Sequence, residues 1–532
     1  MQQSIHETLI NLMHTLDLGT VTGPITSVAG GFMHRMYKVS TDRGIYAVKH
    51  LNPKIMERPD AKDHFARAEK IERILEMREI PIVPAITIQN QKMHYFDGQY
   101  FYVFHWLDGH VTDWNHISKD QCRIAGSLLG QLHSICPRNI PHQEPTISSI
   151  NWKEYSKEAQ AQNSKIASLL AENEELFLYA ERELNKARLS LPDLLCITDE
   201  DMDPKNVMWT GASPKIIDLE CLDYGNPISS ALQLSLQWSG VTTRDLDLTK
   251  MIAFFDGYLE AYDNCYRGYS YVLGLAYTWI EWLEYNIQRA LGACSDEEER
   301  KTGITQVRET IARIAHICEK EQEIKNALDT QLPPVDPAQY DNHDGRICYY
   351  QLMLENDLKA IPCYQLPAGY HFVTYTPNDR DAWIAIEQSA KEFETCEQGL
   401  EAWNRYYESV QDQLPGRMYF IETDAGEKVA TATAFYDIYG RDTTDGWLHW
   451  VAVKREHQGK GLSKPLISHV LHRMKDLGYT HAKIPTQTNT WVACKIYLDF
   501  GFLPIPKNLK NSSEGWRMAK ALTHHPSLEN LI

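Results

Sequence analysis

No window of this 532-residue chain holds about 18 uninterrupted apolar residues, the length a membrane helix needs. The most apolar stretch, Tyr269 to Leu283, is broken by Glu281 and followed at once by Glu284. The start, Met1-Gln2-Gln3-Ser4-Ile5-His6-Glu7, lacks the basic opening and apolar run of a secretory signal, so a cytoplasmic protein with no membrane partner is expected. The 11 cysteines form no CxxC pair and no Cys/His group at zinc spacing, which points to neither a disulfide framework nor a structural metal. Positive charge is scarce: 53 Lys and Arg against 71 Asp and Glu leave a net charge of -18. A nucleic-acid partner needs a basic face and is not expected, whereas a cationic small molecule suits this balance. No internal repeat is visible.

With 43% hydrophobic and 23% charged residues, the rest is ordinary globular composition, too long for one hydrophobic core. From Ile25 to Asn52, short apolar runs separated by Gly30-Gly31 and Asp42-Arg43-Gly44 predict three strands, and Asp60 to Arg78 carries apolar residues at threes and fours, the period of a helix. Two more strands are expected at Lys92 to Phe96 and Phe101 to His105, then helices at Lys119 to Ile135, Ser156 to Leu189 and much of Asp245 to Leu328. Between Lys320 and Gly345 the periodicity fades into Leu332-Pro333-Pro334-Val335-Asp336-Pro337, a linker composition. Strands and helices alternate after it, from Tyr370 to Leu498. Domains are therefore expected at 1–325 and 346–532, with a linker at 326–345, an α+β two-domain chain.

The segment Asp199-Glu200-Asp201-Met202-Asp203-Pro204-Lys205-Asn206 sets a carboxylate five residues before an amide, and Ile216-Ile217-Asp218-Leu219-Glu220 closes an apolar run with another. Taken singly, each residue is an ordinary turn former. Together they are what phosphoryl transfer needs: a carboxylate to accept the proton of an attacking hydroxyl, and oxygen ligands for Mg2+ bridging nucleotide phosphates. Lys49 ends the third strand, Gly30 and Gly31 sit in the first strand turn where backbone N–H groups can approach phosphates, and Glu69 or Glu72 on the following helix is placed to pair with Lys49.

In this order, over roughly residues 20 to 325, these motifs resemble the aminoglycoside phosphotransferase family, a protein-kinase-like bilobal fold that also includes choline and other small-molecule kinases. The resemblance implies Asp201 as catalytic base, Asn206 and Asp218 as Mg2+ ligands, ATP or GTP as donor, and Phe104 to Leu107 as the adenine-side hinge. The family usually has histidine two positions before the catalytic aspartate. Asp199 stands there in this chain, a third carboxylate that would perturb the loop or add metal affinity.

In the last third, Trp447 to Val453 forms a strand pattern, and Gln458-Gly459-Lys460-Gly461-Leu462-Ser463 opens a helix. A strand, a glycine-containing loop and a helix N-terminus make an anion cradle. This block, with Asn489-Thr490-Trp491-Val492-Ala493-Cys494-Lys495-Ile496-Tyr497 before Gly501-Phe502, is similar to the GNAT superfamily of N-acetyltransferases over roughly residues 368 to 520. The similarity implies an α/β domain with a mixed sheet splayed between the strands at Trp447 and His481. Acetyl-CoA would be held by backbone groups of Val451 and Val453 and by the amides from Gln458 to Ser463, with Asn489 on the downstream helix and Tyr497 protonating the departing thiolate. His449 and Glu422 are candidates for the base.

The expected protein is a bifunctional transferase, phosphorylating a hydroxyl and acetylating an amine of small molecules. An alternative keeps the acetyltransferase and makes the kinase-like domain a non-catalytic nucleotide sensor, with Asp199 as the reason. In bifunctional aminoglycoside-modifying enzymes the acetyltransferase half usually comes first, whereas here it comes last. Aromatic residues from Tyr266 to Tyr285 are spaced as a packed helix, although Glu281 and Glu284 among them are placed to grip ammonium groups in an acceptor pocket.

Overall fold

The computed structural model describes residues 4–28, 34–135, 144–294, 296–436, 444–529 and 531. The chain divides into two compact units, Met1–Pro334 and Val335–Ile532.

The first unit opens with helix Ile5–Thr15, started by a capping box in which Ser4 and Glu7 exchange hydrogen bonds with each other's backbone N–H. Five antiparallel strands follow: β1 (Thr26–Val28), β2 (Arg35–Thr41), β3 (Gly44–His50), β4 (His94–Phe96) and β5 (Gln99–His105), in the order β1-β2-β3-β5-β4. Leu9, Leu12 and Met13 of the helix pack against Tyr37, Val39, Tyr46, Val48, Phe101 and Val103 on one face of this sheet. The pattern at Asp60 to Arg78 forms helix Ala61–Met77, whose buried stripe is Phe65, Ala68, Ile71, Glu72 and Leu75.

Beyond β6 (His110–Val111) the unit is mainly helical. Helices Lys119–His133 and Leu248–Ala261 pack close together at Gly126 and Gly257, where a methyl group would run into the carbonyls of Phe254 and Arg123. The single helical pattern expected from Ser156 to Leu189 is instead three helices, Trp152–Ala161, Ala167–Glu172 and Glu174–Leu189. The first break contains Asn163 at a φ of 49°, which asparagine tolerates better than other side chains. Against the helices lie two small antiparallel groupings. Strand β7 (Cys196–Asp199) pairs with β10 (Leu222–Gly225), while β8 (Val207–Thr210) pairs with both β6 and β9 (Ser213–Ile216). Helix Glu297–Gln331 takes in residues 326 to 331 of the expected linker, because Ile324 and Leu328 continue its buried stripe.

The second unit is a seven-stranded mixed sheet in the order β12-β13-β14-β15-β16-β11-β17. The strands are β11 (Gln351–Asn356), β12 (Tyr370–Thr374), β13 (Met418–Thr423), β14 (Lys428–Tyr436), β15 (Asp445–Val453), β16 (His481–Gln487) and β17 (Leu503–Pro504). Strand β14 is buried from Val429 to Phe435 because apolar clusters cover both faces. One cluster gathers Leu466, Val470 and Met474 of helix Ser463–Asp476, and the other Trp383 and Ile386 of helix Arg380–Ser389 with Trp403 of helix Cys396–Tyr406. Strands β15 and β16 are parallel and pair only over Asp445–Trp447 and His481–Lys483, after which no pairing joins them. Strand β11, absent from the sequence expectation, completes the sheet beyond β16.

Candidate active sites

In the first unit, pairing of β7 with β10 and of β8 with β9 gathers two loops beneath Lys49 of β3. Asn206 donates through Nδ2 to the Asp201 carbonyl and to Asp201 Oδ2, both at 2.8 Å. Lys205 Nζ reaches Asp201 at 3.0 Å and Asp203 at 2.8 Å. Asp218, at the bend after β9, adopts φ 62° and ψ 57°, a left-handed conformation that costs an aspartate about 1–3 kcal/mol. That bend brings its carboxylate to 2.5 Å from Lys49 Nζ, with Glu220 Oε2 on the same ammonium at 2.5 Å. Burial alone would lower the Lys49 pKa, but Asp218 and Glu220 outweigh it and hold the ammonium charged. Burial likewise works against the Glu220 carboxylate, yet His34 at 3.1 Å and Lys49 bring its pKa down to about 2.

Glu69 does not pair with Lys49. Its carboxylate accepts from Tyr102 Oη at 2.9 Å and from the Met93 amide at 3.1 Å, while Glu72 is committed to Lys92 at 2.7 Å. Glu220 stands in the expected place of the helix glutamate. It lay in the motif block without a role, and a second carboxylate two residues after Asp218 was the available signal. Gly30 and Gly31 lie outside the described residues.

Asp199 is 1% exposed, and its Oδ2 has no hydrogen-bond partner among the described residues. Its Oδ1 accepts the Asp201 amide at 3.1 Å. Burial, with the Asp201 charge beside it, pushes this carboxyl well above the usual carboxylate range. Glu281 pairs with Arg188 at 2.7 Å and accepts from Ser148, and Glu284 accepts from Tyr155 at 3.0 Å, so both take part in networks that join helices.

In the second unit, a cleft of about 1390 Å³ opens where β15 and β16 part. Val451, Val453, Gln458, Gly459, Gly461, Ser463 and Tyr497 line it; Lys460 and Asn489 do not, and Leu462 packs into the core. Gly459 and Gly461 take φ values of 74° and 78°, and a Cβ on Gly459 would meet nothing within 4 Å. No side chain caps helix Ser463–Asp476, which leaves its first-turn amides for a ligand. Asn489 sits in the 3-10 turn Thr488–Thr490 that precedes helix Trp491–Asp499.

Tyr497 is 5% exposed, and burial raises its hydroxyl pKa, so it stays protonated. His449 Nδ1 lies 2.9 Å from Tyr407 Oη; burial lowers the ring pKa to about 3, leaving a neutral imidazole that is a very weak base. Glu422 does not line the cleft and is paired at 3.4 Å with both Lys428 and His371.

Residues 24–272 match the model of the phosphotransferase enzyme family, and residues 383–502 match that of the GNAT acetyltransferase family. The chain thus carries a region similar to the phosphotransferase enzyme family, followed by one similar to the GNAT acetyltransferase family. A mycothiol acetyltransferase of Pseudarthrobacter chlorophenolicus is 26% identical over 145 residues, 27% of this chain and 45% of the relative, so the chain spans less than half the length of that curated protein. Among solved structures, spectinomycin phosphotransferase in complex with ADP and spectinomycin aligns over 58% of this chain and 97% of its own, at 15% identity and a TM-score of 0.46. A choline/ethanolamine kinase family protein from Mesorhizobium loti aligns over 61% of this chain and 99% of its own, at 15% identity and a TM-score of 0.42.

Proposed function

We propose that the protein is a bifunctional transferase that phosphorylates a hydroxyl from ATP or GTP with Mg2+ and acetylates an amine from acetyl-CoA, each on a small molecule. The observation that carries the first half is the convergence of Lys49, Asp218 and the Asp201–Asn206 loop from three separated segments. Asn206 and Asp218 present an amide and a carboxylate, the hard oxygen donors that suit Mg2+ when phosphates and water complete the shell. When bound, that ion neutralises charge on the transferring phosphoryl group. Asp201, tethered by Asn206 and Lys205, is oriented to accept the hydroxyl proton. Lys49 supplies a charged ammonium for the nucleotide phosphates.

The acetyl-transfer half is supported by the open cleft between β15 and β16 with the Gly459–Ser463 cradle beside it. Gly459 and Gly461 let the backbone approach a pyrophosphate, and Tyr497 is a protonated hydroxyl on the cleft wall that suits protonation of the leaving sulfur. A cytoplasmic enzyme acting on cationic metabolites fits the net charge of -18. The test is incubation of the full chain with hydroxyl-bearing amines plus ATP, GTP or acetyl-CoA, followed by mass spectrometry. Phosphate and acetyl additions are expected, and the absence of both with every donor removes the proposal.

A further inference from the structure

Helix Glu297–Gln331 carries Arg313 on its packed side with Val307, Ile314 and Ile317, and the arginine is only 7% exposed. Arg267, Arg188 and Arg289, likewise enclosed in the first unit, pair with Asp263 at 2.9 Å, Glu281 at 2.7 Å and Glu299 at 3.4 Å. Arg313 has neither an ion pair nor a hydrogen bond among the described residues. Its Nε is buried without a partner, and the guanidinium lies 4.0 Å over the ring of Trp279. Stacking on an aromatic face offsets part of the lost hydration but satisfies none of the N–H donors. Burial lowers the pKa to about 10, so the group stays charged at neutral pH. An unpaired buried cation opposes folding, and its presence calls for a cause outside packing.

Arg313 stands within electrostatic reach of the phosphoryl-transfer loop: the Asp203 carboxylate, two residues past Asp201, acts on its charge, as does Glu309. Neither completes it, because Asp203 is held by Lys205 at 2.8 Å and Glu309 accepts from Gln306 at 2.9 Å. Trp279 starts helix Trp279–Ala290, whose Glu281 acts in turn on Glu200, the neighbour of Asp201. One turn to either side of Arg313, Thr310 Oγ1 and His316 Nε2 are also buried without a partner among the described residues, and side chains three apart on a helix are neighbours. A guanidinium with idle donors, flanked by a hydroxyl and an imidazole, suits an oxyanion. Building on the phosphoryl-transfer reading, we propose that Arg313 binds an anionic oxygen group, a carboxylate or a phosphate, carried by the hydroxyl-bearing acceptor. The planar fork meets two oxygens of that group and thereby sets how the hydroxyl is presented to Asp201. Arg313 lies past residue 272, where the match to the phosphotransferase family model ends, which suits a residue that selects the acceptor rather than one that moves the phosphoryl group.

The experiment incubates the full chain with ATP, Mg2+ and matched acceptors, following ADP release and, by calorimetry, ATP binding. The pairs are ethanolamine against serine, glucosamine against glucosaminic acid, and glucosamine against glucosamine 6-phosphate. The first two add a carboxylate and the third a phosphate, so they tell the two sources of the oxyanion apart. Wild type is expected to favour the anionic member of at least one pair by about tenfold or more in kcat/KM. Arg313→Met should erase that preference by raising the KM of the anionic member about tenfold or more, while kcat for the neutral member and the ATP Kd stay within about threefold of wild type. Arg313→Lys keeps the charge without the fork, so its KM for the anionic member should fall between those of wild type and Met, and it decides the matter if the Met variant does not fold. A Met variant that keeps the preference overturns the assignment, as does a Lys variant with the wild-type KM for the anionic member. So does a wild type that binds ATP yet turns over the neutral members as fast as the anionic ones, or turns over none of these acceptors. A wild type that binds no ATP removes the phosphoryl-transfer reading itself, a result distinct from the others.

Discussion

Asn206 donates through one nitrogen to both the backbone carbonyl and the carboxylate of Asp201, each at 2.8 Å. This double tether turns the amide oxygen, the atom suited to Mg2+, away from Asp201 and fixes the carboxylate that would face an incoming hydroxyl. Replacing Asp201 with Ala is expected to lower phosphoryl transfer by about 10²–10⁴-fold while acetyl transfer stays at the wild-type rate. ADP release and thiol release, measured on the same preparation, check both halves. A phosphorylation rate within threefold of wild type removes Asp201 from the role.

Glu220 bridges Lys49 and His34, and its pKa of about 2 lies below the value of roughly 4.3 for an unperturbed glutamate. A lowered carboxylate pKa contributes stability above pH 4.3 that is lost as pH falls toward 2. Glu220→Gln is therefore expected to cost the first unit about 3 kcal/mol at pH 7 and almost nothing near pH 2. It should also raise the ATP KM, because Lys49 loses one of the carboxylates that hold it. Denaturant titrations at the two pH values and a nucleotide saturation curve measure these effects.

Asp199 behaves in the opposite sense. Its folded pKa is raised, so the native protein keeps a proton that the unfolded chain releases above about pH 4, and stability falls as pH rises from there through the folded value. Asn at this position can still accept the Asp201 amide but cannot ionise. The Asp199→Asn variant should match wild type near pH 4 and melt progressively higher than it toward pH 8. Paired thermal scans across that range decide the matter, and parallel curves would mean that Asp199 is not held neutral.

Much of this architecture is legible in the chain because local chemistry and tertiary role agree there. Asp201, Asn206 and Asp218 sit in turn-forming sequence and occupy turns, and the strand, glycine loop and helix from Trp447 to Asp476 fold as their pattern dictates. What escaped depends on pairings between distant segments. Strand β11 owes its place to pairing with β16 and β17 across more than a hundred residues, a register no local pattern encodes. The expectation for Glu69 followed its helix position, but Tyr102 and the Met93 amide claimed its carboxylate.

Gly461 separates backbone strain from lost ligand space. At φ 78°, any side chain with a Cβ strains the backbone by about 1–2 kcal/mol, and Leu would also project where the cradle must admit a pyrophosphate. Gly478, at the end of helix Ser463–Asp476, has a similar φ of 91° and nothing within 4 Å of where a methyl would sit, yet it does not line the cleft. Gly461→Leu and Gly478→Leu should therefore lower Tm by comparable amounts. Only the first should raise the acetyl-CoA KM, by about tenfold or more if a single phosphate contact worth about 1.5 kcal/mol is lost. Equal KM values for the two variants would mean that the loop from Gly459 to Ser463 shapes the fold without holding the coenzyme.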